Sequence, residues 1–264
     1  NFTELGQNTI RLIGAISLSI SFLSATKAMI PLAENTIHNL TAYGRLLLPV
    51  MTAALAAQGH ATTSSALYVG TSFFDTLLSS LISKYLVPMI YGFLALAVAN
   101  SALGQDMLKK LRDLVKSLAT WCLKTVLYIF TGYMTITGVI SGTTDQAAMK
   151  AAKLTISGAV PVVGGILSDA SESILVGASV AKNAVGIYGA VALFSVVILP
   201  FMRIGVQYLM LKLTASACSV FSCKRAGELV QDFSGAMGLL LGMTGAMCLI
   251  FLISILCFLK GGVG

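Results

Sequence analysis

The sequence predicts an all-α integral membrane protein, a polytopic helix bundle, and three observations carry that prediction. Hydrophobic residues make up 56% of the 264 positions and charged residues only 10%, with a mean hydropathy of +0.89. Soluble domains carry about 25% charged residues. Uncharged runs extend over 46–74, 85–105, 125–144, 183–202 and 233–259, each matching the roughly 20 residues a helix needs to cross about 30 Å of hydrocarbon. None of these runs shows the period-two alternation of barrel strands.

The formal charge of +7 fits loops that face the cytoplasm and anionic lipid better than it fits a nucleic-acid partner. Cys122, Cys218, Cys223, Cys248 and Cys257 form no CxxC pair and no metal-ligand spacing, so they read as small buried hydrophobes. The chain opens at Asn1 without Met or a short basic leader, which reads as a fragment or a processed product.

Residues 1–44 are the least apolar part. Ile10, Ile13, Ile16, Ile20 and Leu23 recur at helical spacing, with only 15 uncharged residues between Arg11 and Lys27. That length is short for a crossing, so the segment is expected to lie at the interface or pack on the bundle, ending where Pro31 interrupts it. A first membrane repeat is expected over 45–153. It has a short segment with Pro49 ended by Gln58-Gly59-His60, a segment containing Asp75, and a span entered by Pro88. DMLKKLRDLVKSL follows. There Met107, Leu108, Leu111, Leu114, Val115 and Leu118 share one helical face, and Lys109, Lys110, Arg112, Asp113 and Lys116 take the other, the pattern of a basic amphipathic helix at the headgroups.

A second repeat is expected over 154–264. Pro49 and Pro88 lie 39 residues apart, as do Pro161 and Pro200, and the two pairs are offset by 112 residues. Three extra residues follow Pro200, after which Lys109-Lys110 align with Lys224-Arg225 and Asp113-Leu114-Val115 with Glu228-Leu229-Val230. Duplication is the simplest source of this pattern. With Lys109, Lys110, Arg112, Lys224 and Arg225 all cytoplasmic, each copy crosses an even number of times. Three short or Pro-broken segments and one long one make four segments per copy.

The stretch GAVPVVGGILSDASESILVGASVAKNAVG, the Pro-ended apolar helix after it and the C-terminal FSGAMGLLLGMTGAMCLIFLI resemble the stage III sporulation protein AE family of endospore-forming bacteria. The resemblance covers essentially the whole chain. It implies an upstream signal peptide and extracytoplasmic region, and membership of a complex linking mother cell and forespore. It also implies partners similar to secretion-system parts: a cytoplasmic ATPase, small membrane proteins and stacked rings. It supplies no catalytic or binding residue.

Candidate functional residues therefore come from physics alone. Gly235, Gly238, Gly242 and Gly245 recur every three or four residues, a groove that admits another backbone, either within the subunit or in a homo-oligomer. Pro49, Pro88, Pro161, Gly164, Gly165 and Pro200 mark candidate broken helices, which persist in a membrane only where protein or a watery cavity satisfies the freed backbone. Asp75, Asp169 and Glu172 are candidates for a polar pathway, because a charge at bilayer depth is costly. For Asp75, a salt bridge to Lys84 or Arg45 is the bland alternative. Two histidines in no metal motif, no GxxxxGK[ST] loop and no Ser-His-Asp set leave no enzymatic signal and call for no cofactor. Two readings remain: a membrane subunit of a secretion-like channel powered by another protein, or a secondary transporter with pseudo-symmetric halves.

Overall fold

In the computed structural model the chain is helical along nearly its whole length. The structure describes the backbone of residues 2–103, 106–159, 164–220 and 224–261, and the side chains of 13–14, 17, 19–103, 107–137, 177–220 and 226–261. The helices are α1 (Phe2–Ala56), α2 (Ala61–Leu81), a π turn (Ile82–Leu86), α3 (Val87–Leu103), α4 (Asp106–Ala159), α5 (Gly164–Val220) and α6 (Lys224–Lys260). Among the described residues, four stretches are long and apolar enough to cross a membrane: Ala61–Leu103, Met107–Thr137, Gly177–Val220 and Ala226–Lys260. The protein is an all-α polytopic membrane protein.

The helical backbone runs on through Pro31, Pro49 and Pro200 rather than ending at them. Pro31 and Pro49 lie within α1, and Pro200 lies within α5. Pro161 falls outside the described residues, and Gly164 and Gly165 open α5. Each expected copy accordingly contributes two long spans rather than four segments. Pro88 alone has a visible local consequence. A proline removes the N–H that would bond the carbonyl four residues back and crowds that carbonyl. Here the preceding turn widens to a π turn in which the Val87 N–H bonds the Ile82 carbonyl. The buried stripe Leu78, Ile82, Leu86, Ile90 then advances by fours, absorbing the extra residue before Phe93 and Ala97 resume the seam. The loop expected at Gln58-Gly59-His60 is present, with Gly59 at φ 88°, a conformation glycine adopts without steric cost.

The chain forms two compact units, residues 1–38, 78–125 and 197–246 in the first and 39–77, 126–196 and 247–264 in the second. Every long rod contributes to both, so the units do not follow the sequence boundaries at 44 and 153. In the first unit α6 meets α1, α3, α4 and α5. Phe233 lies against Phe22 of α1, ring centroids 5.9 Å apart, and Gly235 faces Phe93 of α3 and Lys116 of α4. Gly238 faces Tyr208 of α5. In the second unit α6 is again the hub. Gly44 of α1 sits against the Phe251 ring, the Thr71 and Ser254 hydroxyls pair at 2.8 Å, and Gly186 of α5 meets Leu259. Of its most apolar window 61% is buried, against 22–33% for the other three spans; the last helix is the core. The outer helices present Val69, Phe73, Trp121, Ile129, Val191 and Leu209 outward, as lipid-facing surfaces do. Exposed hydroxyls on these faces, such as Thr131, Thr135 and Ser195, donate to carbonyls one turn back, which satisfies them without water.

The segment expected as a basic amphipathic helix opens a longer rod. Residues 107–118 are the first turns of α4; Met107, Leu111, Leu114 and Leu118 are exposed, and so are Lys109, Lys110, Asp113 and Lys116. Arg112 is the residue that turns in, because Asp232 of α6 receives it. The starts of α4 and α6 both belong to the first unit, and the second unit holds only Arg45, Lys150, Lys153, Lys182 and Lys260 of the seventeen basic residues. The cytoplasmic side is what the positive-inside rule leads one to expect for the α4 and α6 starts. Cysteines placed at 109 and 225 are expected to react with an impermeant thiol reagent from the cytoplasmic side only; labelling of the two positions from opposite sides would exclude this topology.

Candidate functional site

Three polar features interrupt the apolar interior. The first is Asp75 on α2, 3% exposed inside a membrane span. The Thr41 hydroxyl of α1 donates to its Oδ1 at 3.2 Å, and Arg45, one turn further along α1, acts on it by charge. Neither Arg45 nor Lys84 forms a salt bridge with it among the described residues. The Thr71–Ser254 hydroxyl pair lies one turn before Asp75 on α2, and the Tyr43 hydroxyl donates to the Gly189 carbonyl at 2.6 Å. These bonds tie α1, α2, α5 and α6 together in the second unit, the kind of interhelical polar contact that holds membrane helices where lipid supplies no hydrophobic drive. Asp169 and Glu172 lie in the helical backbone of α5, and their side chains fall outside the described residues.

The second feature was underweighted by sequence reasoning. Lys182 on α5 is 2% exposed, with no partner among the described residues. One turn earlier the Ala178 carbonyl accepts from the Gln58 amide at 3.0 Å, and one turn later Gly186 packs on Leu259. The signal was available: a lone lysine inside the small-residue run GASVAKNAVG. Cations buried at such depth are rare enough to count as functional candidates.

The third is the pair between Arg112 and Asp232, at 2.5 Å, with Arg112 also bonding Asp113 at 2.8 and 3.0 Å. Lys109 and Lys110 are exposed nearby on α4, whereas the Lys224 and Arg225 side chains lie outside the described residues. The glycine stripe splits between two neighbours. Gly235 and Gly242 face Lys116 and Leu123 of α4; Gly238 and Gly245 face Tyr208 and Phe201 of α5. Each stripe glycine thus has a partner in its own subunit. Close approaches at Gly44, Gly70 and Gly189, against Phe251, Tyr133 and Leu47, had no such periodic signal. Among the described residues no group of three His, Cys, Asp or Glu could hold a metal. Cys122, Cys218, Cys248 and Cys257 are unpaired thiols.

The family model for stage III sporulation protein AE matches residues 4–262. The chain belongs to that family. The stage III sporulation protein AE of Bacillus subtilis (strain 168) is 25% identical over 187 residues, 71% of this chain and 47% of that protein. The chain spans about half the length of this curated relative. No solved structure matches. The family is one of sporulation membrane proteins and not a known enzyme family.

Proposed function

We propose that the protein is an integral-membrane subunit of a secretion-like channel complex between mother cell and forespore, seated in the mother-cell membrane and required for endospore development. The observation that carries this is membership of the stage III sporulation protein AE family over nearly the whole chain, joined to four apolar spans. Its partners in this reading are the lipid bilayer, other membrane and ring-forming subunits, further copies of itself and a separate ATPase that supplies energy; nucleic acid is not among them. The test is purification of the tagged chain from sporulating cells in mild detergent. Recovery within an assembly larger than one chain supports the reading. A chain that runs alone and catalyses saturable uptake of one small solute would replace it with the transporter reading, which no observation now favours.

The duplication of 45–153 and 154–264 is part of the same proposal. The segmental order supports it: one rod with Pro88 followed by α4, and one with Pro200 followed by α6. An experimental structure in which Pro88 and Pro200 fail to superpose would exclude it.

Asp75 is the residue proposed to face the polar interior of this subunit. Asp75→Asn keeps the acceptor for the Thr41 hydroxyl but removes the charge, and is expected to impair passage or assembly while membrane insertion stays intact. Full sporulation with Asp75→Leu would show that the carboxylate is only tolerated.

A further inference from the structure

Among the described residues, none spans the α6 face that runs between its contacts with α4 and α5. In the first unit Gln231 and Gly242 are exposed, and Gly235, Gly238 and Gly245 are half-buried, so the central helix of the bundle forms the floor of a groove. The walls change character along it. At one level both walls carry a lysine. Lys116 Nζ of α4 lies 3.1 Å from where a Cβ on Gly235 would be. Lys212 Nζ of α5 sits 5.5 Å from the Tyr208 ring centroid and donates to the Tyr208 hydroxyl at 3.2 Å, while that ring lies against Gly238. Both lysines are exposed and neither is within salt-bridge distance of a carboxylate among the described residues. Asp113 and Asp232 are both taken by Arg112, although Lys116 also acts on Asp232 by charge, and Glu228 is exposed nearer the α6 start. Seven residues on, about 10 Å along the helix, the walls are only Leu123 against Gly242 and Phe201 against Gly245.

A molecule with a negative head and an apolar tail matches that order. We propose that this groove binds one anionic phospholipid, its phosphate between Lys116 and Lys212 and an acyl chain along the glycine floor toward Gly242 and Gly245. The cation pair explains why lipid fits better than a second transmembrane helix: two lysines flanking one level complement a phosphodiester, and basic clefts between membrane helices on the cytoplasmic side are suited to anionic headgroups. The lysines stand in the unit that carries most of the basic residues, which the positive-inside rule leads one to expect on the cytoplasmic side. Glycine contributes here what any larger residue would remove, room for the chain.

The test is native mass spectrometry of the full chain, purified in detergent and titrated with phosphatidylglycerol or with phosphatidylcholine of the same acyl chains. Wild type is expected to retain phosphatidylglycerol preferentially. Lys116→Gln with Lys212→Gln is expected to weaken that binding about thirtyfold, as loss of two lysine–headgroup attractions implies. Lys110→Gln, on another face of α4, is expected to leave it unchanged, and the paired arginine variant to preserve it. Gly242→Leu, which places a side chain in the groove, is expected to reduce retention. Equal binding of the two lipids by wild type overturns the proposal, and that comparison needs no variant. So does undiminished binding by the double glutamine variant. Gly242→Leu that keeps phosphatidylglycerol but shrinks the assembly would assign the groove to a second helix instead.

Discussion

Arg112→Ala is expected to destabilise the protein by about 3–5 kcal/mol, the largest effect of any single substitution considered. Removing one partner of a buried ion pair leaves the other as an uncompensated charge. Arg112 is 7% exposed and its guanidinium is divided between Asp232 on α6 and Asp113 on its own helix. With alanine there, Asp113, already 58% exposed, stays solvated, but the Asp232 side chain, 12% exposed, keeps only the unbonded charge of Lys116. Thermal unfolding in detergent measures the loss. Replacing both members by apolar residues, Arg112→Met with Asp232→Leu, is expected to restore most of the stability, because a buried pair contributes little over well-packed hydrophobic residues. A single variant within about 1 kcal/mol of wild type would mean that water reaches Asp232 and that the pair is not what orients α4.

Gly44→Ala is expected to cost about 1–3 kcal/mol through overpacking, although alanine favours a helix by about 1 kcal/mol over glycine. A Cβ at position 44 would overlap the ring of Phe251, which is fully buried on the central helix. An aromatic ring cannot bend aside as a lysine tip can, so α1 and α6 must separate. Phe251→Leu in the same chain is expected to recover part of the loss, and the double-mutant coupling is the measurement. Gly92→Ala is the control, with open space around its Cβ, and should be neutral or slightly stabilising. Equal stability of Gly44→Ala and Gly92→Ala would show that the α1–α6 contact is loose.

Much of the architecture was legible because it depends on composition and run length. A run such as 233–259 cannot be solvated, and a helix is the economical way to satisfy its backbone in lipid. Proline removes one hydrogen bond but does not forbid a helix whose flanks are held by neighbours. Pro49 and Pro200 sit in rods packed on either side through Leu48, Met51, Val197 and Ile204. Over 107–118 the periodicity marked a two-faced helix but not which neighbour each face meets. A soluble helix turns its leucines inward, but in a bilayer the leucines can face lipid while the arginine turns in to meet a partner. Periodicity alone does not distinguish these two orientations.

The sequence by itself determined the class: a helical membrane protein of the stage III sporulation protein AE family, with basic ends grouped near Lys109 and Lys224, a small-residue stripe on the last helix and a carboxylate, Asp75, inside a span. Those properties follow from residue chemistry and local spacing. Tertiary structure decided which helix is central, that Arg112 belongs to Asp232, that Thr41 holds Asp75, that Lys182 is buried, and that the glycine stripe is shared between α4 and α5. Each depends on a partner distant in the chain, 120 residues away for Arg112 and 34 for Asp75. In a uniformly apolar sequence nearly every helix face can be buried or lipid-facing at similar free energy, so only the packing of helices against one another selects which face does which.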